Sequence, residues 1–159
     1  MEAERCSVAS GPMFAHGADI DAVGLFRGDE LLRYLDAVDY REGGLCGSER
    51  ANTMTDATRA RGAPDARVDS GFVSLGGGYL IGEFEPRTEL VAGDVVVVYE
   101  VGRLCGPDRR CDGRNEGYEV FLAKDLDCAN VGNGYPYPPC AVAVGEGLMG
   151  EGRIEVPAF

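Results

Sequence analysis

The chain has 159 residues, 27 acidic against 15 basic side chains and a formal net charge of −12. That length predicts one domain with a core of its own, residues 1–159, and the acidic balance repels nucleic acid and anionic lipid, leaving divalent cations as the natural charged partners. No run of about 20 apolar residues occurs, so no membrane span is read from the sequence.

In chain order, Met1-Glu2-Ala3-Glu4-Arg5-Cys6 lacks the basic, apolar and small-residue stages of a signal peptide, so a leader is taken as absent or already removed. The first expected strand is Ile20 to Phe26. Behind Asp29 and Glu30, the residues Leu31, Leu32, Leu35 and Val38 recur at helical spacing, which allows at most one short helix near residues 29–38. Further strands are expected at Phe72 to Leu75, Tyr79 to Phe84, Val95 to Val101, Tyr118 to Ala123, Ala141 to Val144 and Arg153 to Val156. In the Tyr79 stretch, alternation puts Leu80 and Phe84 on one face and Tyr79, Ile81 and Glu83 on the other. The run Val95 to Tyr99 is apolar on both sides and should form a central strand. With 24 glycines and short apolar runs set between Gly, Pro, Asp and Asn clusters, the class is an all-β, single-domain β-sandwich.

Export is argued from six cysteines, Cys6, Cys46, Cys105, Cys111, Cys128 and Cys140, an even number placed mostly in loop-like sequence. No CxxC pair occurs, and the gap between Cys105 and Cys111 favours a bridge over a zinc knuckle. Neighbours in sequence close loops at least geometric cost, so the expected pairs are Cys105 with Cys111, Cys128 with Cys140, and Cys6 with Cys46. Cys6 could instead be lipidated, but Met1 to Arg5 contain no lipobox-like triplet.

His16 is the single histidine, and neither a G-x-S-x-G elbow nor an H-E-x-x-H helix occurs, so serine-type and zinc-peptidase chemistry lack their usual groups. Calcium is the one cofactor the residues motivate. Alternation along Asp19-Ile20-Asp21 points both carboxylates to one side of a strand, although two acids fall short of the six to eight ligands calcium takes and could simply end a strand in solvent. Asp108 and Asp112, with Asn115 and Glu119, superficially resemble a helical calcium loop. Arg110 at the third ligand position opposes that reading, as does the strand that follows. The loop Asn133-Gly134-Tyr135-Pro136-Tyr137-Pro138-Pro139-Cys140 is stiffened by prolines, which lowers the cost of presenting Tyr135 and Tyr137 to a sugar or peptide. Asn130, Asn133 and Asp127 could supply hydrogen bonds beside those rings. Alternatively, the rings pack locally and close the loop.

The motifs Ala51-Asn52-Thr53-Met54-Thr55-Asp56-Ala57, Arg61-Gly62-Ala63-Pro64-Asp65, Val73-Ser74-Leu75-Gly76-Gly77-Gly78, Val95 to Glu100 and Tyr118 to Leu122 follow one another in order. Over residues 51–123 this succession resembles bacterial exported domains of the discoidin or galactose-binding-like jelly-roll group. The group often carries a D-x-D-A-V strand near its C-terminus, whereas Asp19-Ile20-Asp21-Ala22-Val23 lies near the N-terminus here. The resemblance therefore implies a circularly permuted jelly roll, with the Asp19 strand paired to the strand of Ile154 and Val156.

The function expected from these observations is a noncatalytic extracellular, periplasmic or cell-surface module, secreted or lipid-anchored, that binds a glycan or a protein partner. Two alternatives stand beside it. One is a small secreted hydrolase working through carboxylates like a glycosidase, and the other is a structural module of an envelope or surface layer.

Overall fold

The structure, a computed structural model, describes residues 18–41, 55–66, 71–75, 78–85, 88–101, 117–123, 141–147 and 150–158. The elements in order are β1 (Asp19–Arg27), β2 (Glu30–Tyr34), β3 (Asp36–Arg41), a single 3-10 turn (Ala57–Ala60), β4 (Val73–Ser74), β5 (Tyr79–Glu83), β6 (Asp94–Glu100), β7 (Tyr118–Ala123), β8 (Ala141–Gly147) and β9 (Gly150–Glu155). The fold is all-β, and every expected strand is present. Among the described residues no helix is long and apolar enough to cross a membrane.

The strands form a five-stranded antiparallel sheet ordered β2-β1-β6-β9, with β4 also paired to β1, and two ribbons, β3-β5 and β7-β8. Apolar side chains from all three sheets meet in one cluster that includes Ile20, Leu25, Val73, Phe84, Val96, Val98, Tyr118, Ile154 and Val156. Leu80 packs on this cluster as Phe84 does, on the face that alternation assigned to both.

β6 is central, as expected of a run apolar on both sides. Val96 and Val98 face the cluster, while Val97, equally buried, lies on the opposite face of the sheet. Two positions depart from expectation. First, β1 does not pair with β9, because β6 stands between them and pairs with both. A strand apolar on both faces gains most from two neighbours, so it takes the interior place.

Second, the helical spacing of residues 29–38 is a product of strand structure. β2 pairs with β1 through Leu31↔Phe26 and Arg33↔Leu25, so a bulge places an additional residue on β2 between these pairs. The additional residue converts period two locally into period three. Leu32 and Leu35 then both pack on the core, while Leu31 and Tyr34 both lie across Gly24, close to where a Cβ on that glycine would sit. Arg27 and Glu30 are joined by a tight turn with Gly28 at φ 61°, a conformation that favours glycine.

The two ends of β6 are fixed by acids in the core register. Asp94 is 1% exposed and accepts from Arg27 Nε at 2.8 Å, from Arg27 Nη2 at 2.9 Å and from the Val91 N–H at 3.0 Å. The paired guanidinium and the backbone donor hold its carboxyl below the usual carboxylate range. Replacing Asp94 with Ala leaves these donors without their acceptor, and the expected loss is about 2 kcal/mol or more of unfolding free energy, measured by urea denaturation of the variant against the wild type.

Candidate functional site

The opposite end of β6 gathers a second group of polar side chains with buried atoms. Asp19 opens β1, Ser74 closes β4, Glu100 closes β6, Gly150 opens β9, and Tyr118 opens β7. Register accounts for the meeting: Asp19 pairs with Ser74, Ile20 with Glu100, and Glu100 with Gly150. Glu100, 5% exposed, accepts from the Asp19 N–H at 3.3 Å and from the Gly150 N–H at 3.2 Å, tying the starts of β1 and β9 to the end of β6.

Asp19 is held differently. Burial pushes its carboxyl up to about 6, a hydrogen bond with the Ser74 side chain pulls it down, and the Glu100 charge raises it further. Its Oδ1 is buried without a hydrogen-bond partner, and so is the Tyr118 hydroxyl. Burial, followed by the Glu100 charge, also raises the Tyr118 phenol. Chemically, the cluster can keep a proton on one carboxyl at mildly acidic pH beside a second carboxylate.

Asp21 does not join Asp19. The β1–β6 register shifts between Ile20 and Ala22, so Asp21 is a bulge residue and strict alternation fails there. The side chain is 2% exposed, and its Oδ2 accepts the Ala66 N–H at 2.8 Å, where Ala66 holds a φ of 57°. Neither acid ends a strand in open solvent, and among the described residues no three His, Cys, Asp or Glu side chains form a group able to hold a metal. Glu119 is exposed on β7 directly opposite Glu146 of β8, and both line a shallow hollow of about 220 Å³ together with Phe121, Ala143 and Gly145.

The remaining sequence candidates lie outside the described residues: Tyr135, Tyr137, Asn130, Asn133, Asp127, Asp108, Asp112, Asn115, His16 and all six cysteines, Cys6, Cys46, Cys105, Cys111, Cys128 and Cys140. The structure does fix where their flanking strands end. Ala123 and Ala141 are paired, so the segment 124–140 leaves and re-enters one end of the β7-β8 ribbon. Tyr118, paired with Gly147, marks the other end, where the segment after β6 returns.

Sequence reasoning missed Glu100 and Tyr118. A signal for Glu100 existed, since Asp94, Val96, Val98 and Glu100 share one face by alternation, which puts both acids in core register. A scan against protein-family models finds no matching family, and searches of curated proteins and of solved structures find no match.

Two outcomes are expected at this site. Asp19 is protonated in the folded state up to about pH 6 but ionises near 3.8 when unfolded, so its contribution is complete below about pH 4 and is lost as pH rises through 6. Relative to Asp19→Asn, the wild type should lose of order 2 kcal/mol between pH 4 and 7, read from paired denaturation curves; equal slopes for the two proteins would refute the assignment. At Gly152 an added Cβ would clash with the Tyr118 oxygen and lie 3.2 Å from Cζ. Gly152→Ala should therefore cost about 1–3 kcal/mol in the wild type and distinctly less in a Tyr118→Phe background, as a double-mutant cycle measures.

Proposed function

We propose that this chain is a noncatalytic extracellular or cell-surface module that binds a glycan or a protein partner, built on a galactose-binding-like jelly roll. The observation that carries the proposal is the pairing of Ala123 with Ala141. It anchors both ends of the segment 124–140, which holds Tyr135, Tyr137, Asn130, Asn133 and Asp127, on adjacent strands of a packed framework. Long segments mounted on rigid sheets are where binding residues concentrate. The even cysteine number supports an oxidising location, and the net charge of −12 disfavours polyanionic partners.

A second reading, a small hydrolase acting through carboxylates, draws on Asp19, whose carboxyl is pushed up to about 6 beside buried Glu100. General acids are tuned in this way. In the binding reading the same proton serves only the fold.

A glycan array probed with the wild type and with a folded Tyr135→Ala, Tyr137→Ala double variant tests the proposal. Loss of about 2 kcal/mol or more of binding energy in the double variant, roughly thirtyfold, is expected, with no release of reducing ends from any bound glycan. Undiminished binding would move the site away from this segment. Release of reducing ends that Asp19→Asn abolishes would replace the binding reading with the hydrolase.

A further inference from the structure

The face of the five-stranded sheet turned away from the core carries a second set of rings. Register places them in three cross-strand rows. Tyr34, Gly24, Val97 and Arg153 form the middle row. Ala22, Tyr99 and Glu151 form the row toward the Glu100 end, and Leu31, Phe26, Val95 and Glu155 form the row on the other side.

Small residues on β1 make the floor of this grid. Ala22 and Gly24 are buried, and a Cβ at Gly24 would meet Phe26 Cε2 at 3.0 Å, Leu31 Cδ1 at 3.4 Å and Tyr34 Cε1 at 3.5 Å. The edges of the Phe26 and Tyr34 rings therefore lie over the glycine, so both rings lean across β1 instead of standing clear of it. Phe26, Tyr34 and Tyr99 are all partly exposed, and Leu31 is 37% exposed. The Tyr99 hydroxyl is pushed up by partial burial, then by Glu151 and Tyr34, which places the second tyrosine within electrostatic reach.

A polar rim completes the face on β9. Arg153 donates to Glu151 at 3.2 Å, both side chains are half exposed, and the Arg153 guanidinium sits 5.5 Å from the centre of the Phe26 ring. The guanidinium thus covers the Phe26 ring, and donor and acceptor stand side by side at the edge of the face that carries Tyr34 and Tyr99.

We propose that this sheet face binds a neutral oligosaccharide, stacked on Tyr34 and Tyr99 and hydrogen-bonded by Arg153 and Glu151. The proposal rests on the glycan-binding reading above and adds a second site, for neutral oligosaccharides, beside the segment 124–140. Rings lying over a sheet match the apolar faces of sugars, and the adjacent guanidinium and carboxylate match hydroxyls, which both donate and accept. The net charge of −12, with Glu151 and Glu155 on the rim strand, opposes acidic glycans. β2 and β6 are separated by β1, two inter-strand spacings or about 9.5 Å, so a ligand touching both tyrosines must span more than one sugar.

The test uses the full chain and a panel of neutral hexasaccharides (cello-, chito-, xylo-, manno- and laminarihexaose), with heparin as the acidic contrast, followed by calorimetry. At least one neutral hexasaccharide should bind, heparin should not, and a Tyr34→Ala, Tyr99→Ala double variant should bind at least about thirtyfold more weakly. The Tyr34→Phe, Tyr99→Phe variant keeps both rings and should stay within a few-fold of the wild type. It also separates ring loss from misfolding, with circular dichroism and thermal unfolding as controls on both variants. Binding that survives the Ala variant but fails in Tyr135→Ala, Tyr137→Ala would overturn the sheet-face site while leaving the glycan reading intact. No binding by the wild type to any neutral hexasaccharide would overturn both. A wild-type dimer in analytical ultracentrifugation that the Ala variant dissolves would give the face to a second copy and overturn the proposal as well.

Discussion

The constraint on which the rest of the structure depends is a strand that is apolar on both faces and acidic at both ends of its core register. In β6, Asp94, Val96, Val98 and Glu100 share a face, and all four are buried. Burying a carboxylate without partners costs several kcal/mol, so each end must find donors before the valines between them can be buried. Asp94 finds the Arg27 guanidinium and a backbone N–H, and Glu100 finds the N–H groups that begin β1 and β9. A slip of one residue in either ladder would remove these acceptors from their donors and turn the valines over, so the same contacts that satisfy the acids set the register of the sheet.

Register then decides what each face can do. On the core side, it collects Asp19, Ser74, Glu100 and Tyr118 at one end, where two polar atoms are left unpartnered and a carboxyl retains its proton into mildly acidic solution. On the other side, it sets Tyr34, Gly24, Val97 and Arg153 in one row across four strands. A sheet whose outer face were only solvated would carry polar side chains in these places. Here Val97 is fully buried on the face that also carries Phe26, Tyr34 and Tyr99, so the outer face has a small apolar layer of its own.

Both bulges of the five-stranded sheet act on this division. The one in β2 lets Leu32 and Leu35 reach the core while Leu31 and Tyr34 stay outside, and the one at Asp21 separates that carboxylate from Asp19 and sends it to the Ala66 N–H. Irregularities of one residue thus fix which side chains can form a site together, which strict alternation along the strand does not foresee.

The sequence by itself determined seven of the nine described strands, their approximate limits and the interior position of β6. These follow from local pattern: apolar runs of strand length, glycine and proline between them, and valines on both faces of one segment. It also pointed to Asp19 as the start of a strand. The tertiary structure alone decided the neighbours. That β6 separates β1 from β9, that Leu31 and Leu32 belong to β2 and Val38 to β3, with Leu35 between them and no helix, and that Asp19 meets Glu100, Ser74 and Tyr118 all depend on residues far apart in the chain. Glu100 is 81 positions from Asp19, yet the two are hydrogen-bonded at the end of adjacent strands. Periodicity records which side of an element a residue faces; it carries no information on which element lies opposite or where a bulge shifts the count, because both are settled by the packing of the whole core.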